Sequence, residues 1–266
     1  MGEHARPISV AGKVMAILNA FALGDVRLNL SEICRRAELP LATGHRLVRE
    51  LVAGGFLERV PDGTYRIGTR LWRIGSQAPA VTGLRELALP HMEDLYEATH
   101  DNVQLAVRRD LRVLVVERLR GTRSVPVLTQ VGQTLPLHTT GLGKVLLAHA
   151  PVEVREAVLA GELTRHAARS ITDPAELRRC IEQVRHSGYS VTRDEMTLGA
   201  ASVGVPVRDA DGEVVAALSL VARTRSADLR RLLPPLTTAA RALSRDVAVR
   251  WRGRPDMFTP DRNARA

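Results

Sequence analysis

The sequence predicts an α+β protein in two parts, a small winged helix-turn-helix head and a larger α+β domain, on three observations. Helical stripes fill the first 53 residues and stop at Gly54-Gly55. Two short β-like runs joined by Pro61-Asp62-Gly63 follow directly. Beyond residue 80, helical segments alternate with strand pairs that connect as hairpins.

Each element of the head has a local reason. Val10, Val14, Ile17, Leu18 and Phe21 form an amphipathic stripe that ends at Gly24-Asp25. A second helix is expected from an N-cap at Ser31, through Glu32, Ile33 and Ala37. Leu39-Pro40 breaks it, because proline lacks the amide donor and disfavours helix in the residue before it. A third helix spans Leu41 to Ala53. The hairpin strands are Phe56–Val60 and Thr64–Ile67, and Leu71, Trp72 and Ile74 lie on a connecting helix.

In the larger part, helices are expected at Leu84–Thr99, Gly141–Ala150, Val152–Ala160, Pro174–Ser187 and Leu229–Val249. Strands are expected at Val103–Arg108, Val113–Leu119, Ser202–Arg208 and Val214–Val221. The domain expectation is a head over 1–75, a linker over 76–83, a ligand-binding and oligomerisation domain over 84–250, and a disordered tail over 251–266.

Composition narrows the function. The net charge of +9 points to a polyanionic partner. The excess sits at the ends: residues 1–75 carry eleven Arg/Lys against seven Asp/Glu, and residues 250–266 carry five against two. With only Cys34 and Cys180, neither a disulfide framework nor a zinc site is expected. The amino terminus has no apolar leader and no long apolar run follows, so a cytoplasmic protein without membrane contact is expected. His91, Asp94 and Glu97 make only a weak metal pattern, and no metal or cofactor is expected. A phosphate loop is ruled out, because His138 and Val145 stand where that motif needs Gly and Ser or Thr.

The third helix carries the expected DNA contact. At about 100° per residue, Gly44, Leu47, Val48 and Leu51 share one side. Ala42, Arg46 and Arg49 lie opposite, flanked by Thr43 and His45, with Glu50 nearby. That outer face can enter a major groove, where arginine reaches guanine edges or phosphates. Ser31, and Arg59 and Arg66 on the wing, complete the candidate set. An ordinary solvated helix face would also carry two arginines; the surrounding turn and hairpin favour the DNA reading. The partners expected are double-stranded operator DNA and a second copy of the chain, as a homodimer or homotetramer.

These residues carry a family resemblance. Leu30-Ser31-Glu32-Ile33, the run Leu39 to Leu47, and Gly55-Phe56-Leu57 resemble the head of IclR-type transcriptional regulators. Leu135 to Lys144 is similar to that family's most distinctive motif. Gly188-Tyr189 through Asp194-Glu195, Gly199 and Val205-Pro206-Val207 resemble its C-terminal signature. The resemblance implies a GAF- or profilin-like domain with a curved antiparallel sheet, holding a small organic acid or aromatic catabolite. The effector residues it implies are Thr140, Gly141, Leu142, Thr192, Asp194, Glu195, Ser202, Ser219 and Val221. Serine stands at 202 where the family often has cysteine, and Thr192 where it often has an acid. The loop Thr139–Gly143 independently offers hydroxyls and amides to a carboxylate, or serves only as a tight turn and cap. His138 reads as a structural hydrogen bonder. No catalytic residues are expected, the alternatives being an enzyme acting on a small acid through the second domain, or a protein-interaction module.

Overall fold

The computed structural model describes residues 9–23, 25–122, 125, 129–225 and 227–250. The expected tail over 251–266, the amino-terminal residues 1–8 and the stop at Gly24 lie outside them. The chain divides into two compact units, Met1–Pro79 and Ala80–Ala266.

In the first unit, α1 (Val10–Asn19) is capped by the Ser9 hydroxyl and runs into a 3-10 turn at Ala20–Leu23. Next come α2 (Leu30–Arg36), α3 (Leu41–Ala53), the hairpin strands β1 (Leu57–Arg59) and β2 (Tyr65–Ile67), and α4 (Thr69–Gly75). Ile17, Ile33, Leu47, Val48, Leu57 and Tyr65 are buried together. Gly44 lets α2 and α3 touch: a β-carbon there would stand 2.2 Å from Cys34 Sγ. The wing turns at Gly63, whose φ of +85° suits glycine.

The second unit is built on a curled six-stranded antiparallel sheet of order β5-β4-β3-β8-β7-β6. Its strands are β3 (Asn102–Arg109), β4 (Arg112–Leu119), β5 (Thr134–Pro136), β6 (Ser190–Arg193), β7 (Ala200–Arg208) and β8 (Val214–Arg223). Register shifts at Leu105/Ala106 and Val207/Arg208 bend it. One face packs on α5 (Pro79–Thr99) and α9 (Leu229–Arg250), burying Leu84, Met92, Leu105, Leu218, Leu236 and Leu243. The other face carries Ala106 and Ala217 against α6 (Gly141–Ala148), with α7 (Val152–Ala160) and α8 (Pro174–Ser187) outside it. Every residue of α6 is buried.

Four features differ from the sequence expectation. The N-cap of α2 is Asn29, whose Oδ1 accepts the Glu32 amide at 2.8 Å, so Ser31 is an exposed first-turn residue. Both types cap well, and only backbone geometry chose between neighbours. The helix expected from Leu84 begins at Pro79, which places helix over half of the expected linker, because proline is at ease in a first turn. Strand β5 is three residues ending in proline, too short to show periodicity. Strand β6 was unforeseen because its inward residues, Ser190 and Thr192, are polar, and alternation with apolar residues is what marks a strand.

Candidate nucleic-acid interface and ligand cleft

On α3 the outer face is as the spacing predicts. Ala42, His45, Arg46, Arg49 and Glu50 are exposed, Thr43 is half-buried, and Gly44, Leu47, Val48 and Leu51 face the core. The two arginines are not equivalent. Arg46 Nη1 donates to Glu50 Oε1 at 2.6 Å, whereas Arg49 has no partner among the described residues. On the wing, Arg66 pairs with Glu58 at 2.8 Å, and Arg59 is exposed without a partner among the described residues. Arg35 and Arg36 hold the Glu32 carboxyl down to about 2, so the exposed end of α2 keeps its ion pairs at any physiological pH.

The second unit has a narrow cleft between α6, the sheet and the loop after β6. It is lined by Gln104, Thr129, Leu135, Thr139, Thr140, Gly141, Leu142, Thr192, Met196, Thr197, Ala200, Ala201, Ser202 and Val221. Six of the sequence candidates meet here: Thr140, Gly141, Leu142, Thr192, Ser202 and Val221. Thr140 caps α6, its hydroxyl accepting the Gly143 amide at 3.0 Å and donating to Pro136 O at 3.2 Å. Its carbonyl accepts the Lys144 amide, which leaves the Gly141 and Leu142 amides without partners among the described residues. The helix starts hard against β7: a β-carbon on Gly141 would stand 2.5 Å from Ser202 Oγ, and one on Gly204 would stand 2.7 Å from Gly141 O. Ser190 Oγ donates to that same carbonyl at 2.7 Å. Open amides at a helix start favour an anion there.

The other three effector candidates do not line the cleft. Asp194 has φ of +55°, and its Oδ1 accepts the Gly199 amide at 2.6 Å and the Thr224 hydroxyl at 3.0 Å, closing the loop from 194 to 199. Glu195 turns away to Lys144, whose Nζ donates to Glu195 Oε1 at 2.7 Å. Burial pushes the Glu195 carboxyl up, against the pull of that ammonium. Ser219 is fully buried opposite Gly204 and Gln104, with its hydroxyl unpartnered among the described residues. Thr139, read in the sequence within the loop Thr139–Gly143, lines the cleft too, whereas Gln104 and Met196 carried no reading there. The signal for Gln104 is a lone polar residue inside the apolar run Val103–Val107.

His138 is buried and hydrogen-bonds Thr164 O at 3.0 Å through Nε2, and burial pushes its pKa down. Cys180 is half-buried, and burial pushes its thiol up. His91 pairs with Asp246 at 2.6 Å, and no three His, Cys, Asp or Glu among the described residues are grouped to hold a metal. Among the same residues no helix is long and apolar enough to cross a membrane.

The two units match two family profiles. Residues 10–61 match the IclR helix-turn-helix domain, and residues 77–247 match the family described as bacterial transcriptional regulator IclR C-terminal. The glycerol operon regulatory protein of Streptomyces coelicolor is 31% identical over 249 residues, covering 91% of this chain and 98% of that one. The regulator KipR of Bacillus subtilis is 31% identical, covering 88% and 95%. Among solved structures, an IclR homologue from Microbacterium hydrocarbonoxydans complexed with 4-hydroxybenzoate is 37% identical at a TM-score of 0.82. That alignment covers 91% of this chain and all of the other.

Proposed function

The chain belongs to the IclR family of DNA-binding transcriptional regulators, and on that premise we propose that its operator affinity is set by a small carboxylic acid bound at the start of α6. The observation that carries this reading is the Thr140-capped helix end, whose first two residues line a cleft together with Thr192 and Ser202. Such an end stabilises a carboxylate without a cationic side chain. The apolar walls suit an aromatic acid, and the complex of the Microbacterium relative with 4-hydroxybenzoate supports that class.

Arg49, Arg46, His45, Thr43 and Ala42 would meet the major groove, with Ser31 at the backbone and Arg59 and Arg66 on the wing. The protein would act as a cytoplasmic homodimer or tetramer, reading half-sites about 34 Å apart. The lining of the cleft argues against an enzyme: Gln, Thr, Ser, Met and aliphatic residues supply no group that titrates near neutral pH.

The test has two arms. Selection of duplexes from a random pool by the full chain should enrich a pseudo-palindrome, and 4-hydroxybenzoate should shift affinity for it several-fold. A chain that enriches no sequence, or whose bound duplex ignores every aromatic acid offered, would overturn the reading.

A further inference from the structure

Gln104 is buried on β3 and lines the cleft, yet its Nε2 has no hydrogen-bond partner among the described residues. Folded proteins seldom bury an amide donor this way, because it loses its water and gains nothing in return. Its neighbour across the ladder, Ser219, is also buried with a hydroxyl unpartnered among the described residues, so the two do not satisfy each other.

Position along the sheet gives the orphan donor its meaning. One row crosses three strands through Gly204, Ser219 and Gln104. Strands lie about 4.8 Å apart, so Gln104 stands about 10 Å from Gly204 along the row. Gly204 is where α6 sits down on the sheet, in contact with Gly141. The cleft therefore has two polar ends, the open α6 amides and the Gln104 carboxamide, with Leu135, Leu142, Met196 and Val221 along its walls.

We propose that Gln104 is a specificity-determining residue of this site, donating from Nε2 to an oxygen on the effector remote from its carboxylate. The inference rests on the carboxylate reading above. It narrows the effector class to rigid, ring-bearing acids with a hydroxyl or keto oxygen at the far end. Acids of two or three carbons are too short to engage both ends.

Calorimetric titration of the full chain with 4-hydroxybenzoate and with benzoate tests this, in the wild type and in Gln104→Leu. The wild type should bind the hydroxylated acid at least about tenfold more tightly, as expected where a site is built to bond a hydroxyl. In Gln104→Leu the ratio should fall to within about threefold, through loss of 4-hydroxybenzoate affinity alone. The unliganded variant should melt no lower than the wild type, since Gln104 Nε2 has no hydrogen bond among the described residues to lose. A ratio that survives the substitution, equal weakening of both acids, or a lowered melting temperature would each overturn the assignment. Binding of neither acid by the wild type would instead remove the carboxylate reading, and this inference with it.

Discussion

Lys144 and Glu195 form a buried ion pair, Nζ to Oε1 at 2.7 Å, that fastens the second turn of α6 to the loop after β6. The second carboxylate oxygen, Oε2, has no partner among the described residues, and only 1% of the lysine side chain is exposed. This contact stands behind the cleft: it fixes the helix whose first turn lines the cleft, and the loop whose Met196 forms part of the wall.

Lys144→Met leaves Glu195 buried without its counter-charge, and breaking such a pair costs about 3–5 kcal/mol. The pH dependence follows from the carboxyl. Burial already holds its pKa above the unfolded value, so the folded state takes up the proton first as pH falls. Without the lysine it takes it up at still higher pH. The stability deficit of Lys144→Met should therefore shrink from pH 8 towards pH 5, and Glu195→Gln should rescue most of it. Melting curves across that range check this; a deficit independent of pH would contradict it.

Gly44→Ala should destabilise the head by about 1–3 kcal/mol, the usual cost of overpacking. Its new methyl has nowhere to go but into Cys34 Sγ, 2.2 Å away. Adding Cys34→Ala should recover part of the loss. Chemical denaturation of the single and double variants reads both effects.

Arg49→Ala should cost about 1–3 kcal/mol of affinity for a selected operator if the side chain reads a base. Glu50→Gln should do the reverse, freeing Arg46 from a 2.6 Å pair and removing a negative charge from the exposed face of α3. The pair itself contributes only about 0.3–0.5 kcal/mol to the helix, so folding should hardly change. Fluorescence anisotropy against salt concentration separates the two: a phosphate contact lowers the salt slope, a base contact lowers discrimination.

Asn29→Ala should cost about 1 kcal/mol of stability, the typical worth of an N-cap, while Ser31→Ala stays within about 0.5 kcal/mol. Equal losses at the two positions in thermal melts would reassign the cap of α2.

Thr140→Val keeps the shape of the side chain but removes the hydroxyl that accepts the Gly143 amide. A stability loss of about 1 kcal/mol is expected, with weaker 4-hydroxybenzoate binding in calorimetry because the helix start loses its ordering. Unchanged binding would detach the helix end from ligand recognition.

The residues that wrote their structure directly into the sequence are those with short-range causes. Proline at 40, glycines at 54 and 55 and the stripe Gly44, Leu47, Val48, Leu51 delimit and orient α3 within a dozen residues, and its bounds came out at Leu41 and Ala53. The Pro61–Gly63 turn did the same for the wing. Spacing placed Arg46 and Arg49 on one face but could not say that Glu50 occupies only the first.

Tertiary structure alone decided the cleft. Asp194 and Glu195 are neighbours in sequence, yet a left-handed φ at Asp194 sends one to Gly199 and the other to Lys144, and neither into the cleft lining. Gln104 reaches the cleft only because β8 lies between β3 and β7, pairing segments more than a hundred residues apart. A helix is specified by neighbours within a turn or two, whereas a binding site is specified by which strands meet. Strand pairing depends on burial summed over the whole sheet, which no local run of residues records.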